Sequence, residues 1–239
     1  MKYFMSLAVS FALSLSLLFS LNAQDVCSAD DPTYFCLPPD KILNNELNEV
    51  NFYLIPNKVI TLFYDEIINS GGSIQLDAHW ESPFFGAGVS FNEGVFHLMI
   101  FGGTARIAGM TEDAYAAVAC HEVAHIVGGE PRQTMEHSEW SSSEGQADYF
   151  AASVCLPRYF KSLGVIEGEI AARVEKAGFE MINSFKEFNP DVLDRILVRS
   201  FVNLSETNET LINAYPTLQC RYENFRDPSR RPGCWFKKL

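Results

Sequence analysis

The segment 121–125, with the sequence HEVAH, constrains the fold of this chain more than any other feature of its sequence. Residues four positions apart lie on the same face of an α-helix, so His121 and His125 can bind one ion together. Neutral imidazole is a good zinc ligand, and two histidines leave the tetrahedral coordination incomplete. Glu122 follows the first histidine and lies beside the ion, where a carboxylate can accept a proton from a zinc-activated water. The segment therefore predicts a zinc-binding helix with Glu122 as general base.

A second segment supplies a candidate for the third zinc ligand. Glu144 lies 19 residues after His125, and Asp148 follows Glu144 by four positions, so the two carboxylates share a helical face. If the two helices pack side by side, one carboxylate can bind zinc and the other can accept the free ring N–H of a histidine ligand. We therefore predict Glu144 as the third metal ligand and Asp148 as the hydrogen-bond partner of His121.

Other arrangements compete with this assignment. In the pattern H-E-x-x-H-x-x-G-x-x-H the last histidine would stand at position 131, but this chain has Pro131, which cannot bind a metal. His137 lies in a polar segment typical of a solvated loop, and it is the next candidate for the third ligand. Without any metal, Glu144 would close a capping box with Ser141 at the start of its helix.

The first 23 residues have the features of a secretory signal peptide. Lys2 precedes an apolar run that ends near Leu21, and Ala23 offers a small residue at the cleavage position. Cleavage there leaves 239 − 23 = 216 residues, so residues 24–239 are expected to form one domain with cysteine-containing N- and C-terminal extensions. No later apolar run approaches the roughly 18 residues of a membrane-spanning helix, so we expect a soluble protein, periplasmic or secreted.

The charge balance bears on the partners of the protein. The 30 acidic residues outnumber the 18 basic residues, which gives a formal net charge of −12. An acidic protein repels nucleic acid and anionic lipid, so neither is an expected partner. The expected partner is a protein or peptide substrate.

The six cysteines of an exported chain predict disulfide bridges. Proximity in the sequence favours the pairs Cys27–Cys36 and Cys220–Cys234. Cys120 and Cys155 fall on the two helices of the predicted site. In regular antiparallel helices, Cys155 would lie about two turns beyond Cys120. That separation strains the limit of roughly 7 Å between bridged Cα atoms, so this pair stays open.

The remaining pattern predicts an α+β fold that is mainly helical. Residues 73–101 are expected to form a small antiparallel sheet beside the active-site helix, where a strand can pair with an extended substrate. His79 and His97 fall in these strands without a paired ligand nearby and are expected to be packing or surface residues. The expected strands are 73–80, 86–91 and 95–101. The expected helices are 40–69 with a break near Pro56, a helix from Thr111 to Gly128, 142–163 with Pro157 as a candidate kink, 165–185 and 190–204.

These segments resemble the gluzincin peptidases, in particular the family of CAAX-prenyl endoproteases and HtpX-type proteases. That family carries its ligand glutamate in an E-x-x-A-D segment, as in Glu144 to Asp148 here. It also has a late His-Pro pair with an arginine six residues after the histidine. In this chain Tyr215 replaces the histidine before Pro216, and Arg221 keeps the spacing. The resemblance implies that Tyr215 and Arg221 stabilise the oxyanion, while a structural ion pair is the alternative role of Arg221.

The resemblance covers residues 95–225 and implies a zincin-like metalloprotease domain. Its implied activity is zinc-dependent endopeptidase hydrolysis with Glu122 as general base. This chain differs from the family in its lack of predicted transmembrane helices, its short gap between the ligand segments and its cysteine-rich ends. Two other functions remain open at this stage. One is a zinc-containing peptide-binding or chaperone module of the cell envelope that does not hydrolyse, and the other is an aminopeptidase.

Overall fold

The computed structural model describes residues 47–188 and 206–238. The predicted signal peptide, the predicted Cys27–Cys36 bridge and the predicted helix 190–204 lie outside these residues. Among the described residues the fold is α+β, mainly helical, with one three-stranded sheet, as predicted. No helix within these two ranges is both long and apolar enough to cross a membrane.

The first two helices, α1 (Glu49–Leu62) and α2 (Tyr64–Asn69), meet at Phe63 rather than near Pro56, so the predicted break is misplaced. Pro56 lies inside α1, where a proline costs about 3 kcal/mol. The buried face of α1 offsets this cost, because each large apolar side chain contributes about 1.5–3 kcal/mol. That face carries Phe52, Ile55, Val59 and Ile60.

Three strands follow, β1 (Ser73–His79), β2 (Ala87–Asn92) and β3 (Val95–Phe101), within one residue of the predicted bounds at every end. They pair in the order β1-β3-β2. β2 and β3 form an antiparallel hairpin, because Glu93 and Gly94 adopt the positive φ of a two-residue turn. β1 pairs with β3 in parallel, so the sheet is mixed and not wholly antiparallel as predicted. The reason is that segment 80–86 carries the chain past β3 before β2 begins.

The segment 80–86 is fixed against the short helix α3 (Gly102–Arg106) that follows β3. A Cβ atom on Gly102 would lie 1.8 Å from the carbonyl oxygen of Trp80, so only glycine permits this close approach. The buried Arg106 guanidinium donates hydrogen bonds of 2.6 Å to the carbonyl oxygens of Trp80 and Ser82. These contacts hold the aromatic residues of the segment beside the predicted site.

The central helix, α4 (Glu112–Val127), carries the HEVAH segment and is buried along residues 114–126. Its predicted ends are confirmed. The Thr111 hydroxyl accepts a hydrogen bond of 3.1 Å from the backbone N–H of Ala114, and Gly128 caps the C-terminal end. α4 packs against α1, against the sheet and against the helices that follow it.

The predicted helix 142–163 consists of α5 (Glu144–Phe150), a π-helical turn (Ala151–Cys155) and α6 (Leu156–Ser162). Pro157, the candidate kink, lies in the first turn of α6, where a missing N–H costs little. Two further helices complete the described fold. They are α7 (Glu167–Phe188) and α8 (Leu218–Arg226).

Two disulfide bridges join these elements. The predicted bridge Cys220–Cys234 is confirmed, with a Cα–Cα distance of 6.0 Å. Cys120 and Cys155, left open above, are also bonded, and their Cα atoms are 5.7 Å apart. The longer distance expected from the sequence assumed an unbroken α-helix, whereas Cys155 ends a π-helical turn.

Candidate metal centre

His121, His125 and Glu144 form a group that can hold a metal ion, with ligand atoms that all lie within 4.8 Å of one another. The Nε2 atoms of the two histidines are 3.1 Å apart. A Glu144 carboxylate oxygen lies 3.2 Å from Nε2 of His121, and another lies 3.6 Å from Nε2 of His125. Two nitrogen ligands of a tetrahedral zinc ion, each at about 2.1 Å, would be about 3.4 Å apart. The geometry therefore fits a shared ion.

Local structure brings Glu144 to the histidines. The loop between α4 and α5 folds back on the end of α4, where the backbone N–H of Ser142 donates to the carbonyl oxygen of His125 at 2.8 Å. Glu144 is the first residue of α5, immediately after this loop. Ser141 does not cap α5, because its hydroxyl contacts Nδ1 of His125 at 3.1 Å. The capping-box alternative for Glu144 is therefore not formed.

The outer ring nitrogens of the two histidines are held by oxygen acceptors. Nδ1 of His121 lies 2.8 Å from Oδ1 of Asp148, as predicted. Nδ1 of His125 lies 2.9 Å from the carbonyl oxygen of Ser142, which can only accept a hydrogen bond. Because each Nδ1 donates its hydrogen outward, the lone pair of each neutral Nε2 points at the shared position beside Glu144.

Arg221 forms the ion pair that was the alternative to an oxyanion role. Its Nε and Nη2 atoms donate to the two carboxylate oxygens of Asp148 at 2.7 and 2.9 Å. Burial raises the pKa of Asp148, but the charges of Arg221 and His121 outweigh burial and lower it. Arg221 thus holds the carboxylate that holds His121. Arg221 also lines the larger cavity together with Glu122.

The charges of the site favour a divalent cation. Ionised Glu122, Glu144 and Asp148 with protonated Arg221 sum to −3 + 1 = −2, and all four side chains are buried. Burial lowers the pKa of His121, but the neighbouring carboxylates outweigh burial and raise it to about 10. The carboxylates therefore favour a positive charge at Nε2. Oε2 of Glu144 is buried without a hydrogen-bond partner, as suits a metal ligand. The donor set fits a divalent ion.

Glu122 lies beside this group but does not belong to it. Its side chain is 7% exposed. Burial raises the pKa of the Glu122 carboxyl, against the opposite effect of His121 and His125. A carboxylate with a raised pKa accepts a proton more readily, which is the property that a general base requires.

Two cavities meet at Glu122. The larger has a volume of about 330 Å³ and is mainly apolar. The smaller, about 170 Å³, contains the three candidate metal ligands and is bounded by β2. Tyr215, His121 and Ala87 also line both cavities. The apolar lining of the larger cavity comprises Phe84, Phe85, Val118, Met181, Phe185 and Leu218. The sequence pattern did not reveal this cavity, because these apolar residues come from four separate segments.

Tyr215 lies at the boundary between the cavities and is 49% exposed. The negative charge of Glu144, together with burial, raises the pKa of the Tyr215 phenol, which keeps its hydrogen. The segment that carries Tyr215 is tied to the loop after α4. There the Asn213 amide exchanges two hydrogen bonds with Thr134, at 2.9 and 2.8 Å. The structure thus brings both Tyr215 and Arg221 to the predicted site.

The other histidines of the described chain lie away from the group. The side chain of His137 is 90% exposed, as expected for a solvated loop residue. His97 contacts Asp77 at 2.9 Å, and His79 stacks on Phe101. The expectation that His79 and His97 are packing or surface residues is therefore confirmed.

No protein-family model, no curated protein and no solved structure matches this chain. The site must therefore be interpreted from its own geometry.

Proposed function

We propose that this protein is an exported zinc-dependent peptidase that cleaves internal peptide bonds. The observation that carries the proposal is the position of Glu122, a buried carboxylate next to a two-histidine, one-carboxylate ligand group where two cavities meet. Zinc is the proposed ion because imidazole and carboxylate are its usual ligands in catalytic sites, which keep one position open. The resemblance of the ligand segments to those of gluzincin peptidases supports the same assignment.

The residues of the chain have distinct roles in this reaction. His121, His125 and Glu144 would hold the zinc ion, which would polarise the scissile carbonyl and lower the pKa of a water molecule. Glu122 takes the proton of the attacking water and passes it to the leaving amine. Asp148 holds His121 with its lone pair directed inward. The Tyr215 hydroxyl donates to the developing oxyanion, and the positive charge of Arg221 lowers the energy of that state.

The proposed peptide runs along β2. Among residues 47–188 and 206–238, no further strand pairs with the outer edge of β2, whose residues Ala87, Gly88 and Val89 line the smaller cavity. An extended peptide can pair with such an edge through its main chain. The larger cavity then receives one apolar side chain next to the cleaved bond. Main-chain pairing on this edge leaves room for chain on both sides of the bond, which favours an endopeptidase.

The proposed location is outside the cytoplasm, in the periplasm or secreted. The two bridges of the described chain, Cys120–Cys155 and Cys220–Cys234, are compatible with an oxidising compartment. The N-terminal sequence up to Ala23, which has the features of a signal peptide, also supports export. The proposed partners are protein or peptide substrates.

The decisive experiment compares wild type with Glu122→Gln in two assays, zinc content and cleavage of a peptide mixture. We expect one zinc per chain in both proteins, because Glu122 is not a ligand. We expect the rate of cleavage to fall by about 10²- to 10⁴-fold in the variant, because the general base is lost. Glu136→Gln, a change at an exposed glutamate, is the matched control and should leave both properties unchanged.

The outcomes separate the candidate functions. A fully active Glu122→Gln protein would remove the general base from the mechanism. Wild-type protein that binds zinc and peptides without cutting them would favour the non-hydrolytic binding module. Release of single N-terminal residues only would favour an aminopeptidase.

A further inference from the structure

Arg221, Arg231 and Trp235, in the C-terminal part of the chain, form a clamp on the helix that carries Glu144. Trp235 is fully buried and lies against Gly145, the residue that follows Glu144 on α5. A Cβ atom on Gly145 would lie only 2.3 Å from Cδ2 of the indole. The indole therefore occupies the space that any other residue at position 145 would need for its side chain.

Contacts within the C-terminal part of the chain hold the indole of Trp235 in place. Its Nε1 atom donates a hydrogen bond of 3.0 Å to the side-chain oxygen of Asn224, which is also fully buried. The preceding residue, Cys234, is bridged to Cys220 on α8. The backbone carbonyl of Trp235 accepts a hydrogen bond of 2.8 Å from the N–H of Leu211. Trp235 is thus a fixed support and not a loose terminal side chain.

Other residues of the clamp also contact α5. Arg231 donates to the side-chain oxygen of Gln146 at 2.7 Å, and its guanidinium lies 5.0 Å from the ring centroid of Tyr149. Arg221 holds Asp148, as described above. α5 continues through the π-helical turn into α6, so its C-terminal end is supported by helix, whereas its N-terminal end has no side-chain cap. The first turn of α5, which carries Glu144, therefore depends on tertiary contacts for its position.

We propose that Trp235 is a positioning residue for the third metal ligand, and that the clamp sets the affinity of the site for its ion. The inference rests on the proposed metal site. The indole on Gly145 and the Cys220–Cys234 bridge hold the first turn of α5, so that the Glu144 carboxylate stays close to both histidines. Loosening the clamp lowers metal affinity while the rest of the fold stays intact.

The same part of the chain offers a matched control. Phe225 of α8 is also fully buried, and it lies on Gly178 of α7. A Cβ atom on Gly178 would lie 2.2 Å from Cγ of the phenylalanine, nearly the same approach as at Gly145. α7 carries none of the candidate ligands. The two aromatic–glycine contacts are therefore alike in packing. They differ because the helix of Gly145 carries a candidate metal ligand and the helix of Gly178 does not.

The experiment compares Trp235→Leu and Gly145→Ala with Phe225→Leu and Gly178→Ala in the full chain. Zn²⁺ and Co²⁺ affinities are measured by competition with a chelator, well below each melting temperature, and the visible spectrum of bound Co²⁺ is recorded. We expect all four changes to lower the melting temperature. Only Trp235→Leu and Gly145→Ala should weaken metal binding and alter the Co²⁺ spectrum. The expected loss of affinity is about 10- to 100-fold, the range found when residues that support ligands are removed.

Milder changes keep the test decisive if a variant does not fold. Trp235→Phe should restore most of the affinity lost in Trp235→Leu, and the double change Cys220→Ala, Cys234→Ala should weaken metal binding as Trp235→Leu does. Unchanged metal affinity in the Trp235 and Gly145 variants, or equal losses in the Phe225 and Gly178 variants, would overturn this inference alone. Wild-type protein that binds neither ion would overturn the proposed function as well.

Discussion

The two sides of the site differ in how their side chains are held. The ligand side, formed by His121, His125, Glu144 and Asp148, is almost fully buried, and hydrogen bonds hold the outer ring nitrogens of both histidines. The substrate side, formed by β2, Phe185 and Tyr215, is partly exposed and mainly apolar. Metal ligands must be fixed before the ion arrives, whereas a surface that receives peptides needs open space. Changes on the ligand side should therefore affect metal binding, and changes on the substrate side should affect turnover alone.

The largest effect should follow the loss of a ligand. His125→Ala removes one of three protein donors. The binding free energy of a four-ligand structural zinc site is about 10–16 kcal/mol, which corresponds to about 3 kcal/mol per ligand. We expect metal affinity to fall by more than a hundredfold, measured by chelator competition. His97→Ala, at a histidine paired with Asp77 on the sheet, should leave affinity unchanged. An equal loss of metal affinity in His125→Ala and His97→Ala would contradict the assignment of metal binding to the ligand side.

The next effect concerns the support of His121. Asp148→Asn keeps the shape of the side chain but weakens its hold on the ring, so metal affinity should fall by about 10- to 100-fold. Asp113→Asn is a close control, because Arg173 binds Asp113 with the same two distances, 2.7 and 2.9 Å, but no ligand is involved. A loss of affinity in Asp113→Asn would show that the effect does not require an ion pair at the metal ligands.

A smaller effect is expected at Tyr215, on the substrate side. Tyr215→Phe removes the proposed hydrogen bond to the oxyanion, which forms only as the reaction proceeds. We expect kcat to fall by about tenfold, less than for a fully buried donor, with KM and metal affinity unchanged. Tyr222→Phe, at a tyrosine that contacts Glu175, serves as the control. A weaker metal affinity in Tyr215→Phe would assign this residue to the ligand side.

The smallest effect should appear at the wall of the apolar cavity. Phe185→Ala enlarges the cavity, so the preference for large apolar side chains next to the cleaved bond should fall severalfold in a peptide library. Phe179→Ala changes an aromatic residue of the same helix that is 52% exposed and lies outside the cavity lining. An unchanged preference in Phe185→Ala would place the specificity pocket elsewhere.

The ligand side was predictable from the sequence because its signals are local. Fourfold spacing placed His121 beside His125 and Glu144 beside Asp148, and the caps of α4 were readable at Thr111 and Gly128. The contact of Asp148 with His121 required only that the two helices pack together. Helix faces and caps depend on residues a few positions apart, so a single sequence contains them.

The substrate side was not predictable in the same way because its residues meet through non-local packing. The apolar cavity is lined from separate segments, and elsewhere the parallel pairing of β1 with β3 and the support of α5 by Trp235 also depend on distant residues. No periodicity in the sequence indicates which glycine receives an indole. Pro56 is a further example. Proline predicts a helix break from the local sequence, but the burial of the apolar face of α1 keeps the helix continuous through it.

The bridge between Cys120 and Cys155 lies next to His121, and both cysteines are fully buried. Neither an oxidant nor a reductant in solution can reach these sulfur atoms while the core is closed. The bond must therefore form after the two cysteines meet and before the core closes around them, and afterwards the fold itself protects it. Whether Cys120 and Cys155 are oxidised or reduced in a native sample therefore reports the redox conditions under which that molecule folded, even after it has moved to another compartment.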